Sequence, residues 1–242
     1  MWGAGFASHT NRLLSYFIMT EKITIGTIEL YLGDCLDVLP SLSGVDAVIS
    51  DPPYGMNWNT DSTRFSGGKS PLIRRTKKDG REDWGAVEGD AADFDPTPWL
   101  VFDRVVLWGY HHFAEKLPVG TALIWIKKYD HLFGTFLSDA EIAWMKGGHG
   151  VYCYRDTTLL QDTKGRLHPT QKPVPLMIWS MEKAKVPEGG TVVDPYMGSG
   201  STGIACIKTG RRFVGIEKDR KHFENAKRRL EQELAQVRMF VG

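Results

Sequence analysis

The stretch Thr191-Val192-Val193-Asp194-Pro195-Tyr196-Met197-Gly198-Ser199-Gly200-Ser201-Thr202-Gly203 constrains the fold more than any other part of the chain. Four residues of strand character run into a glycine-rich turn, and Ser201 to Lys208 then reads as a helix. A second strand, Arg212-Phe213-Val214-Gly215-Ile216, follows and ends in Glu217. Such a βαβ unit implies a mostly parallel sheet covered on both faces. The glycines let backbone approach a ligand closely. Asp194 and Pro195 precede the Gly198-x-Gly200-x-x-Gly203 spacing, so it is not the dinucleotide fingerprint, and no Gly-Lys-Ser/Thr follows to make a phosphate loop. An acid ending the second strand commonly takes ribose hydroxyls. This half therefore reads as a place for a nucleoside without pyrophosphate; a plain packing turn between strand and helix would use the same pattern.

A second strand end carries different chemistry. The apolar run Asp46-Ala47-Val48-Ile49-Ser50 leads directly into Asp51-Pro52-Pro53-Tyr54-Gly55. Open α/β sheets bind ligands at the carboxyl ends of their strands. There an acid accepts a hydrogen bond from an amino group, a backbone stiffened by two prolines presents carbonyl oxygens at fixed positions, and an aromatic ring stacks on a flat heterocycle. Together they suit an exocyclic amine on an aromatic ring. Asp-Pro and Pro-Tyr-Gly are equally ordinary turn chemistry, so a strand-ending turn is the competing reading.

The rest of the chain alternates strand and helix. Strands are expected at residues 28–32, 104–108 and 121–127, and helices near 36–39, 111–116, 174–185 and 219–237. Phe223, Ala226, Leu230, Leu234 and Val237 fall on one helical stripe and are expected in the core. Residues 141–145 and 151–154 flank Gly147-Gly148-His149-Gly150 and read as a hairpin, and 155–167 read as a polar loop. Residues 1–22 read as an N-terminal extension, with Met19 as an alternative start, and 23–242 as a single domain.

Composition narrows the class. A net charge of +1 offers no global basic field, and three scattered cysteines suit neither a disulfide framework nor a metal site. That usage fits a reducing cytoplasm. Leu13 to Met19 is far too short to span a membrane. His111, His112, His131 and His149 lack metal-ligand spacing and read as surface or structural residues. Residues 56–95 lack sustained periodicity, and a loop that long is usually functional or mobile. Within it Arg64, Lys69, Arg74, Arg75, Lys77, Lys78 and Arg81 face a single acid, Asp79. Attached to the Asp51 turn, this run is suited to neutralising nucleic-acid phosphates, against the plainer alternative of a solvated surface loop.

With these motifs together, the chain resembles the S-adenosylmethionine-dependent DNA amino-methyltransferases. Asp51-Pro52-Pro53-Tyr54 ahead of Asp194-Pro195-Tyr196-Met197-Gly198-Ser199-Gly200-Ser201-Thr202 is the order of the permuted β group. Gly33-Asp34-Cys35 after the strand 28–32, and His168-Pro169-Thr170-Gln171-Lys172-Pro173 ahead of the glycine loop, are two further matches. The resemblance covers about residues 23–235. It implies a Rossmann-like methyltransferase fold, with a seven-stranded, mostly parallel sheet and an antiparallel hairpin edge. It makes Asp51, Pro52, Pro53 and Tyr54 the catalytic residues. S-adenosylmethionine would lie among Asp34, Cys35, Asp194, Pro195, Tyr196, Gly198, Ser199, Gly200, Thr202, Glu217 and Lys218, with His168, Thr170 and Lys172 lining or buttressing the pocket. No metal is required.

The implied reaction is methylation of adenine N6 in double-stranded DNA after base flipping. Cytosine N4 is the chemical equivalent, although cytosine enzymes of the family more often carry Ser where this chain has Asp51. An RNA or protein-glutamine methyltransferase and an inactive nucleic-acid-binding module are the remaining alternatives. A homodimer is expected, and a cognate restriction endonuclease is the further partner the family allows.

Overall fold

The computed structural model describes residues 20–54, 93–135, 138–158 and 171–241. Its strands are β1 (Glu21–Ile25), β2 (Ile28–Leu32), β3 (Ala47–Ser50), β4 (Val105–Trp108), β5 (Thr121–Ile126), β6 (Ala140–Met145), β7 (Val151–Arg155), β8 (Thr191–Asp194) and β9 (Arg212–Glu217). They form one nine-stranded sheet in the order β1-β2-β9-β8-β3-β4-β6-β5-β7. The helices are α1 (Cys35–Val38), α2 (Val174–Lys183), α3 (Ser201–Lys208) and α4 (Arg220–Val241).

The middle of the sheet explains its sequences. Every residue of β3, β4 and β8 is buried, as expected for short apolar strands covered on both faces. Alternate residues feed two cores. Ile49, Val192, Phe213, Leu176, Met177, Ile204, Ala205, Phe223, Ala226 and Leu230 share the core under α2, α3 and α4. Val48, Val193, Val214, Phe94, Trp99 and Phe113 share the other. Each large apolar side chain so buried contributes roughly 1.5–3 kcal/mol before conformational entropy is counted. The α4 stripe holds at Phe223, Ala226 and Leu230 and fails at Val237, which is 36 % exposed because the helix outruns the sheet.

Four features differ from the sequence reading. The sheet has nine strands, because β1 pairs antiparallel with β2 at one edge and β7 extends the other. The β1 pairing begins at Glu21, so residues 21 and 22 belong to the sheet. Residues 140–145 and 151–155 do not form a hairpin with each other. β6 lies between β4 and β5 and is antiparallel to both, whereas β7 pairs parallel with the far side of β5. The intervening loop crosses the start of β5, where Gly147 and Gly150 carbonyls accept from Thr121 and Ala122 amides. Positive φ angles at Gly147 (80°) and Gly148 (67°) turn the chain there. The segment expected as a helix at 111–116 is two short 3₁₀ turns, Tyr110–His112 and Ala114–Lys116.

The consequence for function is directional. β2, β9, β8, β3 and β4 run parallel to one another, so their carboxyl ends, carrying Asp34, Glu217, Asp194, Asp51 and Gly109, open along one edge.

Candidate active site

Asp194 joins the two motifs read from the sequence. Its Oδ1 accepts from Ser50 Oγ at 2.6 Å and from the Tyr196 amide at 3.2 Å, and its Oδ2 accepts from Thr202 Oγ1 at 2.6 Å. Ser50 immediately precedes Asp51, and Thr202 lies in the first turn of α3, so this carboxyl pins the Asp51 turn to the glycine loop. Burial pushes the Asp194 pKa up to about 6, against the three donors. At 4 % exposure Asp194 acts on the loop from beneath.

The glycine loop is held by Glu217 at the end of β9. Its Oε2 accepts from Gly198 N at 3.0 Å, and its Oε1 accepts from the amides of Lys218 and Asp219, both at 2.9 Å. Burial raises its pKa and these amides oppose the rise. Gly198 and Gly200 adopt φ of +47° and +79°, the left-handed conformation that disfavours any side chain. Arg229 of α4 donates to the Ser199 carbonyl. Gly203 has a packing duty, because a Cβ there would meet Leu230 at 2.7 Å and Phe213 at 2.8 Å.

Beside this loop lies a cavity of about 600 Å³ lined by Leu32, Gly33, Asp34, Leu36, Asp37, Lys218 and Arg220. Asp34 caps α1 by accepting from Leu36 N at 2.9 Å and pairs with Lys218 Nζ at 3.4 Å. Two leucines amid carboxylates, next to a glycine turn and an acid-terminated strand, fit a nucleoside with an exocyclic amine. Cys35 is buried in the core beside Val38, and burial pushes its thiol pKa up to about 11, so it stays neutral. Tyr196 meets Phe94 and Trp99 edge-on, with centroids 5.8 and 6.3 Å away.

The Asp51 turn is more heavily charged than its sequence suggested. Asp51 Oδ1 accepts from the Tyr54 hydroxyl, and Oδ2 pairs with Lys172 Nζ at 2.5 Å. Lys172 also pairs with Glu141 of β6 at 3.0 Å, and Glu141 with Lys127 at 2.9 Å. Burial raises the Asp51 pKa while Lys172 pulls it down. Burial opposes the Lys172 charge, but Asp51 and Glu141 outweigh it and hold the ammonium well above its usual range. Burial likewise opposes ionisation of Glu141, yet Lys172 and Lys127 bring its pKa down to about 2. The Tyr54 ring stacks on His112 with centroids 4.7 Å apart. Gly109, at φ +74°, leaves the space the ring fills.

Several expected residues converge here and others cannot be placed. Asp34 and Lys218 line the cavity, Glu217 holds Gly198 and the Lys218 amide, and Asp194 ties the glycine loop through Ser50 to the Asp51 turn. Lys172 has its ammonium on Asp51 and Glu141. His168, Thr170 and the basic residues 64–81 lie outside the described residues. Glu141, Lys127, His112 and Gly109 were missed as site residues. Only Gly109 and His112 had a signal, since they follow a buried strand, where ligand sites collect.

Comparison with known proteins meets this geometry in the half that carries the glycine loop. Residues 144–228 match the family model described as DNA methylase. The chain is 24 % identical over 269 aligned residues to the type II methyltransferase M2.MboI of Moraxella bovis, covering 90 % of this chain and 91 % of that protein. These matches support an S-adenosylmethionine-dependent N6/N4 DNA amino-methyltransferase.

Within this methyltransferase a shorter segment is closer to another relative. Over 66 residues it is 41 % identical to the type II methyltransferase M2.DpnII of Streptococcus pneumoniae, covering 27 % of this chain and 24 % of that one. The crystal structure of the M1.HpyAVI–SAM complex superposes with a TM-score of 0.52 at 21 % identity, covering 84 % of this chain and all of that one. The cytosine-N4-specific PvuII DNA methyltransferase gives 0.52 at 11 % identity, covering 87 % and 90 %. At those identities the structural matches establish the shared α/β methyltransferase fold. Among the described residues no helix is long and apolar enough to cross a membrane.

Proposed function

We propose that this methyltransferase transfers a methyl group from S-adenosylmethionine to the exocyclic N6 of adenine in double-stranded DNA. The observation that carries the reading is the 2.6 Å hydrogen bond from Ser50 to Asp194. It binds the root of the amine-holding turn to the root of the nucleoside-holding loop, so both substrates meet in one cleft.

The bound cofactor supplies an electrophilic methyl on a sulfonium, and the protein's own groups supply position. Gly198, Ser199 and Gly200 bring backbone to its methionine end, Glu217 and Lys218 border its ribose, and Asp34 and Cys35 its adenine. Asp194, Pro195, Tyr196 and Thr202 keep that loop in shape. Lys172, expected to line or buttress this pocket, has its ammonium on Asp51 and Glu141, and His168 and Thr170 are proposed to line or buttress the pocket.

The target amine is a poor nucleophile because its lone pair is delocalised into the ring. Asp51 accepts one amino hydrogen and the Pro52 carbonyl, held by Pro53, accepts the other, which turns the lone pair toward the methyl. Hydrogen bonds of this kind to a charged group are worth about 1.5–3 kcal/mol, and orientation and electrostatics provide the remainder. A base inside a duplex cannot reach this pocket and is flipped out at a cost of a few kcal/mol. Tyr54, whose ring stacks on His112 in the free protein, is the aromatic partner for that base. Arg64, Lys69, Arg74, Arg75, Lys77, Lys78 and Arg81 provide the grip on phosphate, and a second subunit shares it in a homodimer. The type II relatives favour service beside a cognate restriction endonuclease, in the cytoplasm.

Adenine is preferred over cytosine because Asp51 opens the tetrapeptide. The test is transfer from tritiated S-adenosylmethionine to DNA, RNA and protein in parallel, followed by chromatography of the digested nucleosides. N6-methyladenine is expected, and Asp51→Ala should abolish it while cofactor affinity persists. N4-methylcytosine would overturn the base assignment, and label confined to RNA or protein would overturn the DNA reading.

A further inference from the structure

The partly buried charges around Asp51 form a line that a simple amine-holding turn does not need. Asp51 closes β3, Lys172 stands just ahead of α2, Glu141 lies in β6, and Lys127 follows β5. Lys172 is 7 % exposed and stands 2.5 Å from Asp51 and 3.0 Å from Glu141. Lys127 completes the line at 2.9 Å from Glu141. Removing charges from water is costly, and a lone Asp51–Lys172 pair would satisfy the carboxylate with fewer of them.

We propose that Lys172 and Glu141 are positioning residues that set the orientation and acceptor strength of Asp51. The proposal rests on the assignment of Asp51 to the target amine. Lys172 takes Oδ2, which fixes the carboxylate plane and leaves Oδ1, held by the Tyr54 hydroxyl in the free protein, as the oxygen offered to the base. A lysine bound to Asp51 alone would also drain negative charge from it and weaken it as an acceptor. Glu141, on the other side of the same ammonium, offsets that drain. Lys127 balances Glu141, so the line carries two positive and two negative charges and is neutral as a whole.

The other groups that face Asp51 are known among the described residues. Tyr54 lies on Oδ1, His112 stacks on Tyr54, His111 is within the field of Glu141, and Asp194 is within the field of Asp51. Lys172 and Glu141 act on Asp51 with opposite sign.

Opposite signs give a test that a purely structural role would fail. Asp51 accepts far more strongly as a carboxylate, so transfer falls as pH drops through its pKa. Glu141→Gln removes a negative neighbour, eases ionisation of Asp51 and should move the acid limb of the single-turnover transfer rate to lower pH. Lys172→Met removes a positive neighbour and should move it to higher pH. Shifts of roughly one pH unit are expected, the scale for a charge a few ångströms away. Lys172→Arg, which keeps the charge, should restore the limb, and Glu141→Gln with Lys172→Met should fall between the singles. Limbs that stay at the wild-type midpoint, or move the same way in both singles, would overturn the proposal. If Lys172→Met does not fold, an unmoved limb in folded Glu141→Gln suffices to overturn it. Asp51→Ala separates the two levels. If it keeps transfer activity, the assignment of Asp51 itself fails; if it is inactive while the limbs are unmoved, only the positioning role fails.

Discussion

Replacing Gly109 with Ala should damage methyl transfer without touching cofactor binding. Gly109 follows β4 with φ 74° and ψ 21°. A Cβ there would lie 2.2 Å from the Tyr54 Cε1 and Cζ atoms and 2.5 Å from its hydroxyl oxygen. Two costs follow. An alanine in the left-handed region costs about 1–2 kcal/mol whatever surrounds it. The ring must also move, which gives up its stack on His112, about 0.5–1.5 kcal/mol, and its hydrogen bond to the Asp51 carboxylate, about 1.5–3 kcal/mol. For a chain of this length the backbone part alone lowers the melting temperature by roughly 2–8 °C. Thermal melts, calorimetric titration with S-adenosylmethionine and the transfer rate on DNA separate these effects. Stability and rate should fall together while cofactor affinity holds. Repeating the substitution in a Tyr54→Ala background isolates the ring, because only the backbone cost then remains. An equal loss of stability in both backgrounds would refute the packing of Tyr54 over Gly109.

Other residues give equally definite outcomes. Burial holds Asp194 near pH 6 in the folded state against an ordinary value of 3.8. The folded protein therefore binds that proton more tightly than the unfolded chain, so stability is lost as pH rises from about 4 through 6. The gap of about two pH units corresponds to roughly 3 kcal/mol. Urea melts of wild type and Asp194→Asn across this range should show a difference that grows with pH; a pH-independent difference would exclude the effect. Glu217→Ala removes the acceptor for the Gly198, Lys218 and Asp219 amides and should weaken cofactor binding by about 1–3 kcal/mol. Unchanged affinity by calorimetry would remove it from the site. Neutralising Arg74, Arg75, Lys77 and Lys78 together should weaken binding to all DNA sequences alike and flatten its salt dependence. The flattening is up to about 0.9 log unit per log unit of salt for each lost phosphate contact. Wild-type affinity and salt slope would return the run to a solvated loop.

Much of this molecule was written locally. The strand-turn-helix unit from Thr191, the Asp51 turn after a buried strand and the stripe on α4 are patterns within a few residues of one another. Burial on two faces enforces apolar runs, and left-handed turns enforce glycine, so such patterns reach the sequence directly. Those signals located both halves of the cleft and the direction in which it opens.

Tertiary structure decided what depends on distant partners. Nothing in residues 140–155 states that β6 will insert between β4 and β5 or that β7 will pair on the far side of β5. Apolar strands joined by glycines read as a hairpin, and the choice of neighbour falls to the competing edges of β4 and β5. The same insertion brings Glu141 to Lys172, 31 residues apart in sequence and 3.0 Å apart in space. A lone glutamate on a strand carries no mark of its partner, because the energy of an ion pair belongs to the distance between charges. The residues proposed to hold the amine were legible in the sequence; those proposed to tune them became visible only when the sheet had ordered its strands.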